Sequence, residues 1–208
     1  MGQDKLWLDI DGRALVALTI SRAAESGCFD HVVIAAPQDR WSALCQLCTE
    51  AGLDRADVLE GGARRQDSVF AALERCDDDV LICVHDAARP LASPALFRSV
   101  VDAARRDGAA TAAVPCIDTI KRVSDGYVRE TLLRSELIAT QTPQAFDKDL
   151  LVRAHTTARA EGVEADDDAQ LVERLGRKVA VVPGDSRNLK VTHAADIALL
   201  AALLGEAT

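Results

Sequence analysis

Five cations and one carboxylate stand where this chain could do chemistry. Lys5, Arg65, Arg89, Arg134 and Lys190 fall near predicted strand ends, and Asp86 follows the most apolar strand, in Val84-His85-Asp86-Ala87-Ala88-Arg89-Pro90. Ammonium and guanidinium groups neutralise phosphate oxygens, while a carboxylate can take sugar hydroxyls or Mg²⁺. The 208-residue chain is otherwise acidic, with 33 Asp and Glu against 24 Lys and Arg and a net charge of −9. Cations gathered at strand ends in such a chain suit a site for several phosphates. The same balance argues against nucleic acid or an anionic membrane as partner, because both are held by a broad basic surface.

Each stretch also has a plainer reading. Gly61-Gly62-Ala63-Arg64-Arg65-Gln66-Asp67-Ser68-Val69 either offers helix N-terminal N–H groups to an anion or base edge, or is a glycine turn into a capped helix. Asp86 and Arg89 either pair with each other or meet a ligand. His85 reads as packing rather than acid–base chemistry. Taken singly, Asp118-Thr119-Ile120-Lys121, Thr142-Pro143-Gln144 and Asn188-Leu189-Lys190-Val191-Thr192 pass for surface loops. Asp166-Asp167-Asp168 has the look of a metal cluster, but carboxylates in a first helical turn are favoured by the helix dipole, and that reading is preferred. Of six cysteines only Cys45 and Cys48 form a C-x-x-C, with no second pair or His spacing to complete a zinc site. They read as reduced thiols on a helix face, a redox role staying open because βαβ patterning is nearby.

The elements that must position these groups alternate. Strand-length apolar runs occupy His31–Ala36, Asp57–Leu59, Val80–Val84, Ala109–Pro115 and Lys178–Pro183. Helical periodicity covers Ala14–Glu25, Arg40–Ala51, Asp67–Arg75, Ser93–Arg106, Lys148–Glu161, Asp166–Leu175 and His193–Leu204, with Ser93-Pro94 as a helix start. Such alternation predicts an α/β fold with a mostly parallel sheet covered by helices on both faces, its ligands beyond the strand ends. Thr119–Leu133 breaks the pattern: two strand-like runs joined by Asp125-Gly126 predict a projecting β-arm, which would pack on something outside its own core, often a second subunit. No linker or repeat divides residues 1–208, so one domain is expected. No apolar run is long enough to span a bilayer and no signal peptide is present, which points to the cytoplasm.

The segments G-G-x-x-R-x-x-S-V, V-H-D-A-A-R-P, D-T-I-K, T-P-Q-x-F, D-D-A-x-L-V-E and N-L-K-V-T, in this order, resemble the 2-C-methyl-D-erythritol 4-phosphate cytidylyltransferases of the non-mevalonate isoprenoid pathway. The likeness covers essentially the whole chain. It implies a Rossmann-like nucleotidyltransferase fold, a homodimer interlocked through the arm, CTP and a sugar-alcohol phosphate as substrates, and Mg²⁺ or another divalent cation as cofactor. By resemblance Lys5, Lys190 and Arg134 are catalytic, Arg134 reaching across the dimer. Asp86, Arg89 and Thr119 hold the sugar-alcohol phosphate, with Asp86 also facing the metal. Gly61, Gly62, Arg65, Ser68 and Ala87 bind the nucleotide. Two positions depart from the family pattern: Ala63 replaces an acidic residue that reads the base, and Asp166 replaces a Thr beside the substrate. A CDP-ribitol-forming enzyme of the same chemistry is the nearest alternative. A dehydrogenase is disfavoured because no G-x-G-x-x-G is present.

The resemblance also bears on the start of the chain. Family members carry a buried strand and a glycine-rich loop immediately before a segment like Met1-Gly2-Gln3-Asp4-Lys5. Roughly 15 to 20 residues, one strand and one loop, are therefore expected upstream. Without them the sheet would expose unpaired edges, the triphosphate would lose backbone donors, and the polypeptide as written is expected to be poorly stable and nearly inactive. A non-catalytic nucleotide-binding remnant is the corresponding alternative.

Overall fold

A computed structural model describes residues 5–10 and 12–205. Met1, Gly2, Gln3 and Asp4, which complete the expected phosphate-loop signature, lie outside the described residues. The first elements are a two-residue ribbon, β1 (Asp9–Ile10) and β2 (Arg13–Ala14), running into helix α1 (Leu15–Ser26). Then come β3 (Val32–Ala35), α2 (Trp41–Glu50), β4 (Ala56–Leu59), α3 (Arg65–Leu73), β5 (Leu81–Val84) and α4 (Pro94–Asp107). The second half holds β6 (Ala109–Pro115), the arm strands β7 (Lys121–Ser124) and β8 (Tyr127–Thr131), and β9 (Ile138–Asp147). Helices α5 (Lys148–Glu161) and α6 (Asp168–Arg174), strand β10 (Ala180–Pro183) and helix α7 (Ala194–Gly205) complete it.

Local chemistry fixes these boundaries. Ser93 caps α4 by accepting the Leu96 N–H, Pro94 fills the first helical position, and Gly108 ends the helix at φ 81°. Asp147 caps α5 through the Leu150 N–H, and Asp167 caps α6 through the Gln170 N–H. At the arm tip, Asp125 and Gly126 take φ of 53° and 81°, the paired left-handed conformations that a two-residue hairpin turn requires.

The main sheet has the order β10-β6-β9-β5, and β3 and β4 form a separate parallel pair. β10 and β6 run parallel, whereas β9 is antiparallel to both β6 and β5. The α/β class is as the sequence predicts, but β9 was not among the expected strands, and it makes the main sheet mixed. Its Thr142-Pro143-Gln144 segment is buried sheet, not surface loop. Phe146, Leu151, Leu171 and Val172 pack one face of this sheet, and Val100, Ala104, Ala110 and Ala145 the other. A cavity of about 410 Å³ lies between β3 and β5, walled by α1 and α3 and reaching Arg65, Ser68 and Asp86.

Candidate active site

Asp86 sits one residue beyond β5, where the strand ends and the chain must turn. Its backbone N–H donates to Thr142 Oγ1 at 3.0 Å, so β9 holds it in place. Its carboxylate, 15% exposed, is the hub of a cationic cluster: Lys190 Nζ lies 2.9 Å from Oδ2, Arg65 Nε 3.4 Å from Oδ1, and Arg89 Nε 3.8 Å from Oδ2. Burial resists ionisation of Asp86, but the hydrogen bond from Lys190 and the charges of Lys190, Arg65 and Arg89 outweigh it and hold the carboxyl below its ordinary range. The group is therefore a carboxylate at neutral pH.

Arg65 begins α3 and bridges Asp86 to Asp168, whose Oδ2 lies 2.8 Å from its Nη2. Asp168 is 1% exposed and also meets His155 Nε2 at 2.9 Å. Gln144 of β9 positions this end of α6, donating to Asp167 Oδ2 and accepting the Ala169 N–H. Asp168 was read only as a helix-dipole carboxylate; the signal that could have marked it is its place in the first turn of a short helix with an Arg on another helix to partner. Arg89 turns away from Asp86, giving Nη1 to the Asn188 carbonyl at 2.7 Å, and burial lowers its pKa. The Asp86–Arg89 contact is thus long, and the carboxylate's closest cation is Lys190.

Lys190 comes from the loop between β10 and α7, tied down by the Val191 N–H donating to the Ala88 carbonyl at 2.9 Å. Lys5 reaches the same loop, donating from Nζ to the Val191 carbonyl at 3.0 Å. Ala87 lines the cavity and accepts the Thr19 hydroxyl at 2.7 Å. Ser68 Oγ accepts the Gly62 N–H at 2.9 Å and closes the exposed Gly61-Gly62 turn over α3. A Cβ on Gly62 would come within 2.5 Å of Asp67 Cβ, so glycine is required there by the helix itself.

Asp86, Lys190, Arg65, Arg89 and Lys5 therefore converge, with Ser68 and Ala87 on the cavity wall. Thr119 and Arg134 do not join them within this chain. Thr119 is exposed at the root of the arm, and Arg134, also exposed, gives Nη1 to the Ile117 carbonyl at 3.0 Å. His85 rests edge-on against Phe97, its ring centroid 4.8 Å away, and burial pushes its pKa down to about 4. No group of three or more potential metal-binding side chains occurs among the described residues. Asp86 alone is compatible with Mg²⁺, which commonly takes one or two carboxylates and completes its shell with substrate phosphates and water.

What the arrangement can do is stabilise anions at one point. Lys190, Arg65 and Arg89 gather around Asp86, with Asp168 as the second carboxylate on Arg65, so cations outnumber carboxylates at the mouth of a cavity, and Lys190 is 42% exposed and able to turn to an incoming phosphate.

Comparison with known proteins gives one answer. A family model described as 2-C-methyl-D-erythritol 4-phosphate cytidylyltransferase matches residues 1–206. A relative of that name from Halalkalibacterium halodurans is 38% identical over 206 residues, covering 99% of this chain and 90% of its own length. One from Bacillus mycoides is 37% identical, with 98% and 90% covered. Among solved structures, a 4-diphosphocytidyl-2C-methyl-D-erythritol synthase from Anaerococcus prevotii superposes with a TM-score of 0.89 at 30% identity, covering 96% of this chain and 93% of that one. The Thermus thermophilus 2-C-methyl-D-erythritol 4-phosphate cytidylyltransferase gives 0.79 at 38% identity, covering 97% and 94%.

Proposed function

The chain belongs to the 2-C-methyl-D-erythritol 4-phosphate cytidylyltransferase family, a family of nucleotidyltransferases, and we propose that it transfers the cytidylyl group of CTP at the Asp86 cluster. The acceptor is 2-C-methyl-D-erythritol 4-phosphate; the products are 4-diphosphocytidyl-2-C-methyl-D-erythritol and pyrophosphate. An acceptor phosphate oxygen attacks the α-phosphorus of CTP in line, the bond to the β-phosphate bridging oxygen breaks, and that oxygen leaves with pyrophosphate. Such a step needs orientation and charge neutralisation more than covalent help.

The observation that carries this reading is the convergence of Lys5, Lys190, Arg65 and Arg89 on one loop and one carboxylate. Lys190 and Lys5 stabilise charge on the α-phosphate, and Lys190 leaves Asp86 to do so. Asp86 then takes acceptor hydroxyls, and with the triphosphate oxygens it would hold the divalent cation, which supplies Lewis-acid charge neutralisation when bound. Gly61, Gly62, Arg65, Ser68 and Ala87 bound the cytidine side. Thr119 and Arg134, on the arm, serve the acceptor phosphate of a second subunit in a homodimer. We read residues 1–208 as one domain and the enzyme as cytoplasmic; no helix among the described residues is long and apolar enough to cross a membrane.

The test is steady-state pyrophosphate release by the protein with CTP and Mg²⁺, using 2-C-methyl-D-erythritol 4-phosphate and ribitol 5-phosphate side by side. Preference for the methylerythritol acceptor is expected. Preference for ribitol 5-phosphate would assign the same chemistry to CDP-ribitol formation, and release with neither would remove the catalytic reading.

A further inference from the structure

Three segments that meet at the Asp86 cluster are tied by a closed circuit of hydrogen bonds, which the roles above leave unused. Thr142 Oγ1 accepts the Asp86 backbone N–H at 3.0 Å and lies 3.0 Å from His85 Nδ1. His85 Nε2 lies 3.1 Å from the Arg89 carbonyl oxygen. Arg89 Nη1 donates to the Asn188 carbonyl at 2.7 Å, and Asn188 Nδ2 returns to the Thr142 carbonyl at 2.9 Å. The circuit joins the turn after β5, the middle of β9 and the loop that carries Lys190. Thr142 and Asn188 are 5% and 0% exposed, so these bonds have little competition from water.

For a neutral imidazole the proton inventory admits one arrangement. The Arg89 carbonyl can only accept, so His85 Nε2 carries a hydrogen. In the neutral ring Nδ1 is then an acceptor, and the Thr142 hydroxyl, already accepting from Asp86, gives its proton to it. Both ring nitrogens are thereby engaged by protein, and the ring edge faces Phe97. Nothing of His85 is left to exchange a proton with a substrate.

We propose that His85 is a positioning residue, an Nε2–H imidazole that with Thr142 and Asn188 sets Asp86 and Lys190 at the separation that cytidylyl transfer uses. The catalytic part of this rests on the proposed function. The Arg89 carbonyl held by His85 fixes the turn whose next-door Ala88 carbonyl takes the Val191 N–H, and Val191 follows Lys190. The Asp86 N–H held by Thr142 fixes the other partner. If His85 served packing alone, any aromatic ring of similar size against Phe97 would do.

The experiment compares His85→Phe, Thr142→Val, their double variant and Thr142→Ser in the full-length protein, with melting temperature recorded for each. His85→Phe keeps the ring and loses both hydrogen bonds; Thr142→Val keeps the shape and loses the hydroxyl. Each single variant is expected to lower kcat by about tenfold to a hundredfold, the scale of a small misplacement of reacting groups, with KM for CTP changed by less than about threefold. The double variant should be no worse than the poorer single one, since the two act as a unit, and Thr142→Ser should restore kcat to within about threefold of the parent. Unchanged kcat in His85→Phe, or losses that multiply in the double variant, would overturn the proposal. Nitrogen-15 NMR at pH 7 reads the ring without any turnover: an Nε2–H tautomer is expected, and an Nδ1–H tautomer would overturn it. A wild-type protein without cytidylyl transfer would instead defeat the proposed function, with the NMR result still deciding whether the circuit exists.

Discussion

At the scale of single residues, the cluster is explained by charge. Asp86 keeps its negative charge because three cations offset its burial, and Lys190 is the nearest of them. Removing one preorganised cation from a transition state costs on the order of 10²- to 10³-fold in rate. Lys190→Ala is therefore expected to lower kcat by that factor with little change in melting temperature, because its side chain is 42% exposed; kinetics and thermal melts on one preparation check both halves. The cysteines answer differently. Burial pushes Cys48 up to about 11, with a smaller push from Cys45, and pushes Cys83 up to about 12, so neither of these two is a reactive thiolate near neutrality. Iodoacetamide at pH 8 should label the exposed Cys45 and spare Cys48 and Cys83 in the folded protein. A raised thiol pKa keeps the proton in the folded state. Its stabilising share is therefore complete below the ordinary value of 9 and is lost as pH climbs toward 12, and Cys83→Ala should flatten that part of the stability profile. Residue types alone made Asp86, Arg65 and Lys190 legible, because charges beside apolar strands have few other uses. Asp168 was not legible: its importance comes from 1% exposure and two partners brought from distant sequence, Arg65 and His155.

At the scale of elements, the site depends on turns and on one strand whose sequence conceals it. The Gly61-Gly62 turn lies against the first turn of α3 so closely that a methyl group on Gly62 would meet Asp67. Gly62→Ala is expected to destabilise the protein by about 1–3 kcal/mol, the usual cost of overpacking, and to weaken CTP binding. Denaturant unfolding and calorimetric titration measure the two effects; an unperturbed variant would mean the turn has room to move. The helices and β3, β5, β6 and β10 were legible from periodicity and from caps such as Ser93-Pro94. β9 was not, because Gln141, Thr142, Pro143 and Gln144 have loop chemistry and a proline is seldom found in a central strand. The register between β6 and β9 shifts between Thr111 and Ala113, opposite this stretch, so the proline falls where the ladder is already irregular. The polar side chains are buried because each has work to do: Gln144 bridges Thr111 to Asp167, Gln141 holds Asn188, and Thr142 holds Asp86.

At the scale of the whole molecule, the arm stands apart among the described residues, its two strands paired with each other and exposed. Its strands β7 and β8 are exposed along their whole length, and Ile117, Val123, Tyr127, Val128 and Leu133 present apolar side chains to solvent. The proposed homodimer would cover them and bring Arg134 and Thr119 to a second active site. Light scattering should give twice the chain mass, and Val128→Asp with Leu133→Asp should yield monomers of low kcat; a monomeric parent with full activity would refute the shared site. A hairpin was legible from Asp125-Gly126; in the proposed homodimer its cover would come from a second chain, which leaves no periodic trace in one. Cytidylyl transfer at the Asp86 cluster can be followed by phosphorus-31 NMR of the protein with CTP, Mg²⁺ and 2-C-methyl-D-erythritol 4-phosphate. The acceptor's phosphate monoester signal is expected to be replaced by a coupled diphosphate pair as pyrophosphate appears, with Lys190→Ala slowing this by the factor given above. An acceptor signal that stays unchanged, with CTP intact or merely hydrolysed, would contradict it.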